Sequence, residues 1–185
     1  MSKQATDNSN FEDKASFRLQ CLPDCSPVRV LDAFAGYGKV WEQVQFYRKD
    51  KQKFDVLSIE RRRIERTPYL MGDNVKFLKT LDLASFDVID LDDYGFPYEQ
   101  LSVLFERQYK GVVFITFGAT GGGNIHHGLL HELGFSDSML SKIQTLFTRN
   151  PFARFCQYLS RHGIDAVDYI SQGKIYYMKI DMVGA

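Results

Sequence analysis

From Val28 onward the chain alternates short, continuous apolar runs with longer helical or mixed segments. Runs of the first kind read as strands buried on both faces, and the alternation points to a largely parallel sheet with covering helices. The predicted strands are Val28–Asp32, Phe54–Glu60, Tyr69–Met71, Phe86–Leu91 and Val112–Thr116, then Ala166–Ile170 and Lys174–Asp181. Ser171-Gln172-Gly173 between the last two is a short glycine-containing connection that suits a β-hairpin. Helices are predicted over Lys39–Tyr47, Val75–Leu81, Tyr98–Arg107, Asp137–Phe147 and Pro151–His162, the last with proline in its first position. The expected class is therefore α/β: a seven-stranded, mostly parallel sheet with helices on both faces and a C-terminal antiparallel hairpin.

Two stretches fall outside this pattern. Met1 to about Lys14 is rich in Ser, Asn, Asp and Lys, with Phe11 its one aromatic residue, so residues 1–16 are expected to form a mobile tail and 17–185 a single domain. Gly118 to Gly134, which contains Gly121-Gly122-Gly123 and His126-His127, reads as a long loop with one turn of helix.

Composition adds constraints. A length of 185 residues supports one sizeable core. Lys plus Arg (23) balances Asp plus Glu (23), so no global field favours polyanions and any nucleic-acid contact must come from a local patch. The three cysteines, Cys21, Cys25 and Cys156, read as unpaired thiols. With neither a cleavable leader nor an apolar run long enough for a bilayer, a cytoplasmic, soluble protein without membrane contact is expected.

The segment richest in chemistry is Val30-Leu31-Asp32-Ala33-Phe34-Ala35-Gly36-Tyr37-Gly38-Lys39-Val40-Trp41, a strand running into a glycine turn and then a helix. Open α/β sheets bind cofactors at such turns. Trp41 occupies the third-glycine position of a dinucleotide fingerprint, which argues against a nicotinamide enzyme, and no G-x-x-x-x-G-K-[ST] phosphate cradle is present. Leu31 to Gly38 instead resembles the first motif of class I S-adenosylmethionine-dependent methyltransferases, which have a Rossmann-like sheet. Glu60 ends the second strand 22 residues after Gly38 (60 − 38), where a carboxylate can accept from both ribose hydroxyls. Gly72-Asp73-Asn74 is similar to the family's third motif, whose acidic residue approaches the adenine amino group.

Asp90-Leu91-Asp92-Asp93-Tyr94-Gly95-Phe96-Pro97 lies where the family's fourth, catalytic motif belongs. It resembles the form found in tRNA guanine-N2 dimethyltransferases, a group among the nucleic-acid amino-methyltransferases, with Asp93 standing where that form has proline. The resemblance implies S-adenosylmethionine as cofactor, bound by Asp32, Phe34, Gly36, Gly38, Glu60, Asp73 and Asn74. It implies catalytic roles for Asp92, Tyr94 and Asp90, and substrate contacts from Asp93, Gly95 and Pro97. The cofactor's sulfonium activates the methyl group, so the protein mainly has to place a nucleophile behind it. Acceptors such as the Asp92 carboxylate, aimed at the N–H groups of an exocyclic amine, favour its nucleophilic geometry, and Tyr94 offers a face on which an extruded base can stack.

The expected activity is thus methyl transfer to a nitrogen, an exocyclic amine of an RNA base ahead of a DNA base. A protein partner or homodimer is expected to aid target recognition. Covalent C5-cytosine methylation is excluded, because no cysteine lies between 25 and 156. Asp93 keeps a second class open: a catalytically silent cofactor-binding module that scaffolds or regulates a nucleic-acid-modifying partner. Arg61-Arg62-Arg63-Ile64-Glu65-Arg66 reads as a solvated face or a phosphate-contacting patch. No metal ligands are assigned: Asp90 and Asp92 lack a third ligand at recognisable spacing, and adjacent histidines such as His126-His127 point in different directions.

Overall fold

The computed structural model describes residues 10–48, 53–63, 69–93, 95–118, 125–143, 146 and 149–183. Tyr94, Gly121-Gly122-Gly123 and the Ile64-Glu65-Arg66 end of the arginine run lie outside the described residues. In chain order the elements are α1 (Phe11–Gln20), β1 (Val28–Asp32), α2 (Lys39–Tyr47), β2 (Phe54–Glu60), β3 (Tyr69–Met71), α3 (Asn74–Thr80), a 3-10 turn (Leu83–Ser85), β4 (Val88–Leu91), α4 (Tyr98–Glu106), β5 (Gly111–Gly118), α5 (His127–Glu132), α6 (Asp137–Lys142), α7 (Pro151–Arg161), β6 (Asp168–Gln172) and β7 (Ile175–Met182).

The seven strands run in the order β3-β2-β1-β4-β5-β7-β6. Strands β1 to β5 pair in parallel, whereas β7 is antiparallel to both β5 and β6. The expected seven-stranded sheet, mostly parallel with a terminal antiparallel pair, is present. The hairpin is tighter than anticipated: Gln172 pairs with Ile175, leaving two residues in the turn, and Gly173 at φ 61° takes the conformation that a side chain would disfavour.

Alternation along the strands divides the core between the two faces. Val28, Val30, Val88, Val112 and Phe114 pack with Ala15 and Phe17 of α1 and with Trp41 and Val44 of α2. Leu31, Ile89, Leu91, Val113 and Ile115 point the other way, against Leu78 of α3, Leu101 of α4, Leu129 of α5 and Phe155 of α7. Burial on both faces is why these strands read as continuous apolar runs.

The expected tail through residue 16 requires correction, because Phe11–Gln20 is helical. Ala15 and Phe17 are buried, and the Phe17 ring meets Phe114 edge-on at 6.2 Å. Tyr47 of α2 donates its hydroxyl to Glu12, and Gln172 donates to Asp13 at 2.9 Å. The strongest tie is Arg18, which is 1 % exposed. Its Nε and Nη2 donate to the two oxygens of Asp90 at 2.6 and 2.8 Å, and the Trp41 indole Nε1 donates to Asp90 Oδ2 at 2.8 Å. Composition hid the helix because its few apolar residues act together with a charge whose partner lies 72 residues away.

Removing one member of a buried ion pair leaves the other unpaired and costs about 3–5 kcal/mol. Arg18→Met should therefore lower unfolding free energy by roughly that amount in urea titrations followed by the fluorescence of Trp41, the single tryptophan. A loss below about 1 kcal/mol would show that the pair does not anchor α1.

Candidate cofactor and acceptor site

The turn after β1 is organised by backbone hydrogen bonds at the carboxyl ends of the strands. Ala33 N donates to Asp90 O at 3.0 Å, Ala35 N to Ile59 O at 3.2 Å and Gly38 N to Ala35 O at 2.6 Å. Gly36 (φ 50°) and Gly38 (φ 68°) both lie in the left-handed region, and Gly38 forms the N-cap of α2. No atom lies within 4 Å of where a Cβ would stand on Gly36, so its requirement is conformational.

Glu60 links this turn to the end of β2. Its Oε2 accepts from Gly36 N at 3.0 Å and its Oε1 from Arg62 N at 2.9 Å. Asn74 links it to two helices: Nδ2 donates to Ala33 O at 3.0 Å while Oδ1 accepts from Gln100 Nε2 at 2.9 Å. Asp73 caps α3 by accepting from Lys76 N at 3.1 Å. Phe34, Glu60, Asp73 and Asn74 together line a cleft of about 300 Å³, whose wall also includes Glu99 and Gln100 at the start of α4. Gly36 and Gly38 do not line it.

Asp32 is 4 % exposed and does not line this cleft. It accepts from Phe34 N at 3.3 Å and pairs in register with Asp90 across β1 and β4. With Asp92 beyond the end of β4, this makes a row of three carboxylates beneath α1. Lys14 Nζ donates to both oxygens of Asp92 at 2.9 and 3.0 Å, and Arg18 Nη2 lies 4.0 Å from Asp92 Oδ2. Burial, followed by the charges of Asp90 and Asp92, pushes the Asp32 carboxyl well above the usual range, against smaller opposing effects of Arg18 and the Phe34 N–H. Burial also works to raise Asp92, but the charges of Arg18 and Lys14, with hydrogen bonding from Thr116 and Lys14, outweigh it and hold that carboxyl below the usual range.

Asp90 is 1 % exposed, with both oxygens engaged by Arg18 and Trp41, so its visible contacts are internal. Trp41, which the sequence marked as the missing third glycine, is the residue that packs α2 onto the sheet and completes this network. After β4, Asp93 N donates to Leu91 O at 2.9 Å, Gly95 O accepts from Gly118 N at 3.4 Å, and Pro97 occupies the N-cap position of α4. These three residues lie in the segment that joins β4 to α4. Lys14, Arg18, Glu99 and Gln100 were not legible as site residues in the sequence. The one signal for Lys14 and Arg18 was spacing across distant segments: cations four apart on a helix match acids two apart on a strand.

No protein-family model matches the chain, and no curated protein matches it in sequence. Solved structures do match in fold. A protein assigned as an S-adenosylmethionine-dependent methyltransferase of Methanococcus maripaludis aligns with 11% identity and TM-score 0.53, covering 100% of this chain and 97% of its own. One assigned as a ribosomal RNA methyltransferase of Plasmodium falciparum gives 13% and 0.54, with 95% and 98% covered. A chain from the Haloferax volcanii complex of the Trm112 methyltransferase activator with its assigned methyltransferase gives 12% and 0.54, with 95% and 91% covered. The fold is that of class I methyltransferases. The expected Rossmann-like architecture is therefore present. No helix among the described residues is long and apolar enough to cross a membrane.

The opposite displacements of Asp32 and Asp92 have opposite linkage signs. The raised carboxyl contributes stability below its unfolded value and loses it as pH rises through the folded value; the lowered one contributes above its unfolded value and loses it as pH falls through the folded value. Asp32→Asn, which mimics the protonated carboxyl and keeps an acceptor for Phe34 N, should be more stable than the parent at pH 8, with the gain shrinking towards pH 4. Chemical denaturation across that range checks it; a pH-independent difference would show that Asp32 does not hold a proton in the fold.

Proposed function

We propose that this protein is an S-adenosylmethionine-dependent methyltransferase acting on a nitrogen, an exocyclic amine of an RNA base ahead of a DNA base. The observation that carries this reading is the cleft between the glycine turn and the ends of β2 and β3, at the point where strand order reverses between β1 and β4. Of the residues that line it, Glu60 would hold the ribose hydroxyls, Asp73 and Asn74 would take the adenine, and Phe34 would offer an apolar edge. The described walls offer carboxylate and amide acceptors, a ring and the cation Arg61, and the sequence carries no G-x-x-x-x-G-K-[ST] phosphate cradle, which fits a cofactor without phosphates. When bound, that cofactor supplies an activated methyl group.

This chain's own residues would position the acceptor. Asp92, the member of the carboxylate row with some exposure, accepts from the amine N–H groups; Asp93, Gly95 and Pro97 shape the loop beside it, and Tyr94 provides the stacking face. Asp90 and Asp32 act as positioning residues beneath. Lys14 already engages Asp92, so an incoming amine must share or displace that ammonium. Asp92→Asn should lower transfer by roughly 100- to 1,000-fold with cofactor affinity unchanged.

The Lys14–Asp92 pair, together with Asp93 in place of proline, also favours a second reading, the silent cofactor-binding module that serves a partner. The activator bound to the assigned Haloferax methyltransferase supports protein partnering for chains of this fold. Calorimetric titration with S-adenosylmethionine and S-adenosylhomocysteine tests the common part. Binding should weaken about 10- to 100-fold in Glu60→Gln, which keeps an oxygen for Gly36 N but loses the charged acceptor. Labelled methyl incorporation into RNA and DNA then separates the two readings: transfer establishes the enzyme, and tight binding with no transfer to either polymer establishes the module. Equal affinity in Glu60→Gln would overturn the placement of the ribose.

A further inference from the structure

Beyond β5, α5 places His127 and His131 four residues apart, one above the other on a single helix face. Their ring centroids are 5.7 Å apart. The chain then turns, and the first residue of α6, Asp137, brings Oδ1 to 3.1 Å from His131 Nε2. One ligating atom from each of the three residues lies within 4.8 Å of the other two, and all three side chains are exposed.

Both helices are braced from behind. Leu129 and Leu130 are buried, and a Cβ on Gly128 would stand 2.4 Å from the Tyr98 ring, so glycine permits α5 to sit this close to α4. Tyr98 donates its hydroxyl to Glu132 at 2.6 Å. Gly134 at φ 94° makes the turn, Phe135 N donates to Leu130 O at 3.0 Å, and Ser136 caps α6. His126 is turned inward: it stacks on Tyr98 with ring centroids 4.4 Å apart, and its Nδ1 accepts from Gly128 N at 3.1 Å. Adjacent histidines thus diverge, as their spacing implied, whereas the pair one helical turn apart converges.

We propose that His127, His131 and Asp137 form a site for a divalent transition-metal ion, zinc foremost, that ties α5 to α6 and leaves a coordination position for water. Two imidazoles and one carboxylate are borderline nitrogen and oxygen donors, a set that suits zinc; magnesium and calcium prefer oxygen-rich shells. Tetrahedral binding at about 2.1 Å requires ligand atoms roughly 3.4 Å apart. The His131–Asp137 pair, at 3.1 Å, lies within a few tenths of an ångström of that spacing, and rotation of exposed side chains closes the remainder. The site involves none of the residues placed at the cofactor cleft, so it stands or falls independently of methyl transfer.

The test is calorimetric titration of chelator-stripped, tag-free protein with zinc chloride, alongside thermal melts with and without the metal. The parent should bind one zinc ion and melt at higher temperature with it. His127→Ala/His131→Ala should lose affinity at least tenfold and lose the thermal shift, while retaining the parent's metal-free melting temperature because both positions are exposed. Cys21→Ser/Cys25→Ser/Cys156→Ser should still bind. Unchanged zinc affinity in the histidine variant, loss of binding in the cysteine variant, or equally tight binding of magnesium would each overturn the assignment.

Discussion

The Asp90 carboxylate, buried at the end of the central strand, needs compensation, and much of the arrangement around the carboxyl ends of β1 and β4 follows from how it is met. Arg18 supplies the charge through two hydrogen bonds, and Trp41 supplies a third donor. One carboxylate therefore joins the N-terminal helix, the central strand and the helix after the glycine turn. An unpaired charge at this depth would be prohibitive, and the paired arrangement specifies where α1 must lie. Burial works against the Arg18 charge, but Asp90, joined by Asp92 and Asp32, outweighs it and holds the guanidinium above its usual range.

Once α1 is fixed, its next turn determines the state of the acceptor loop. Lys14 and Arg18 lie one helical turn apart, and Asp92 follows Asp90 by two residues on the same face, so the two cations meet the two acids. The third carboxylate, Asp32, has no cation of its own and is pushed towards its neutral form. The two cations of α1 are thus both engaged with these acids, which fits either an acceptor that competes with Lys14 or a module whose acid serves only to hold the helix.

The cleft beside this row is built differently, from side chains that have both a structural and an outward-facing role. Glu60 holds Gly36 N and Arg62 N while facing the cleft, and Asn74 spans from Ala33 to Gln100. Such double use explains why the Asp73 N-cap does not compete with a ligand role: one oxygen capping Lys76 N leaves the carboxylate's remaining acceptor capacity available to a ligand. The α5–α6 surface follows another logic, in which a glycine lets one helix approach Tyr98 and thereby turns His127 and His131 outward.

The alternation of apolar runs determined the sheet. Val28–Asp32, Phe54–Glu60 and Tyr69–Met71 fall on the strands residue for residue, although only β1 of the three is largely buried, with β2 half-buried and the edge strand β3 half-buried to exposed. The glycine turn, the acid closing β2 and the acid capping α3 were also legible, since each is local chemistry at a strand or helix end. What remained hidden depended on partners far apart in sequence. Neither the helical state of residues 11–16, nor the internal commitment of Asp90, nor the Lys14–Asp92 pair has a local signature. Their free energy comes from contacts across more than 70 residues. His127, His131 and Asp137 carried a readable four-residue spacing, but only the turn at Gly134 brought the carboxylate to the imidazoles. The sequence by itself determined the sheet and the chemistry at its strand ends. The tertiary structure decided which of those charged groups neutralise one another, because Coulombic pairing depends on distance in space rather than along the chain.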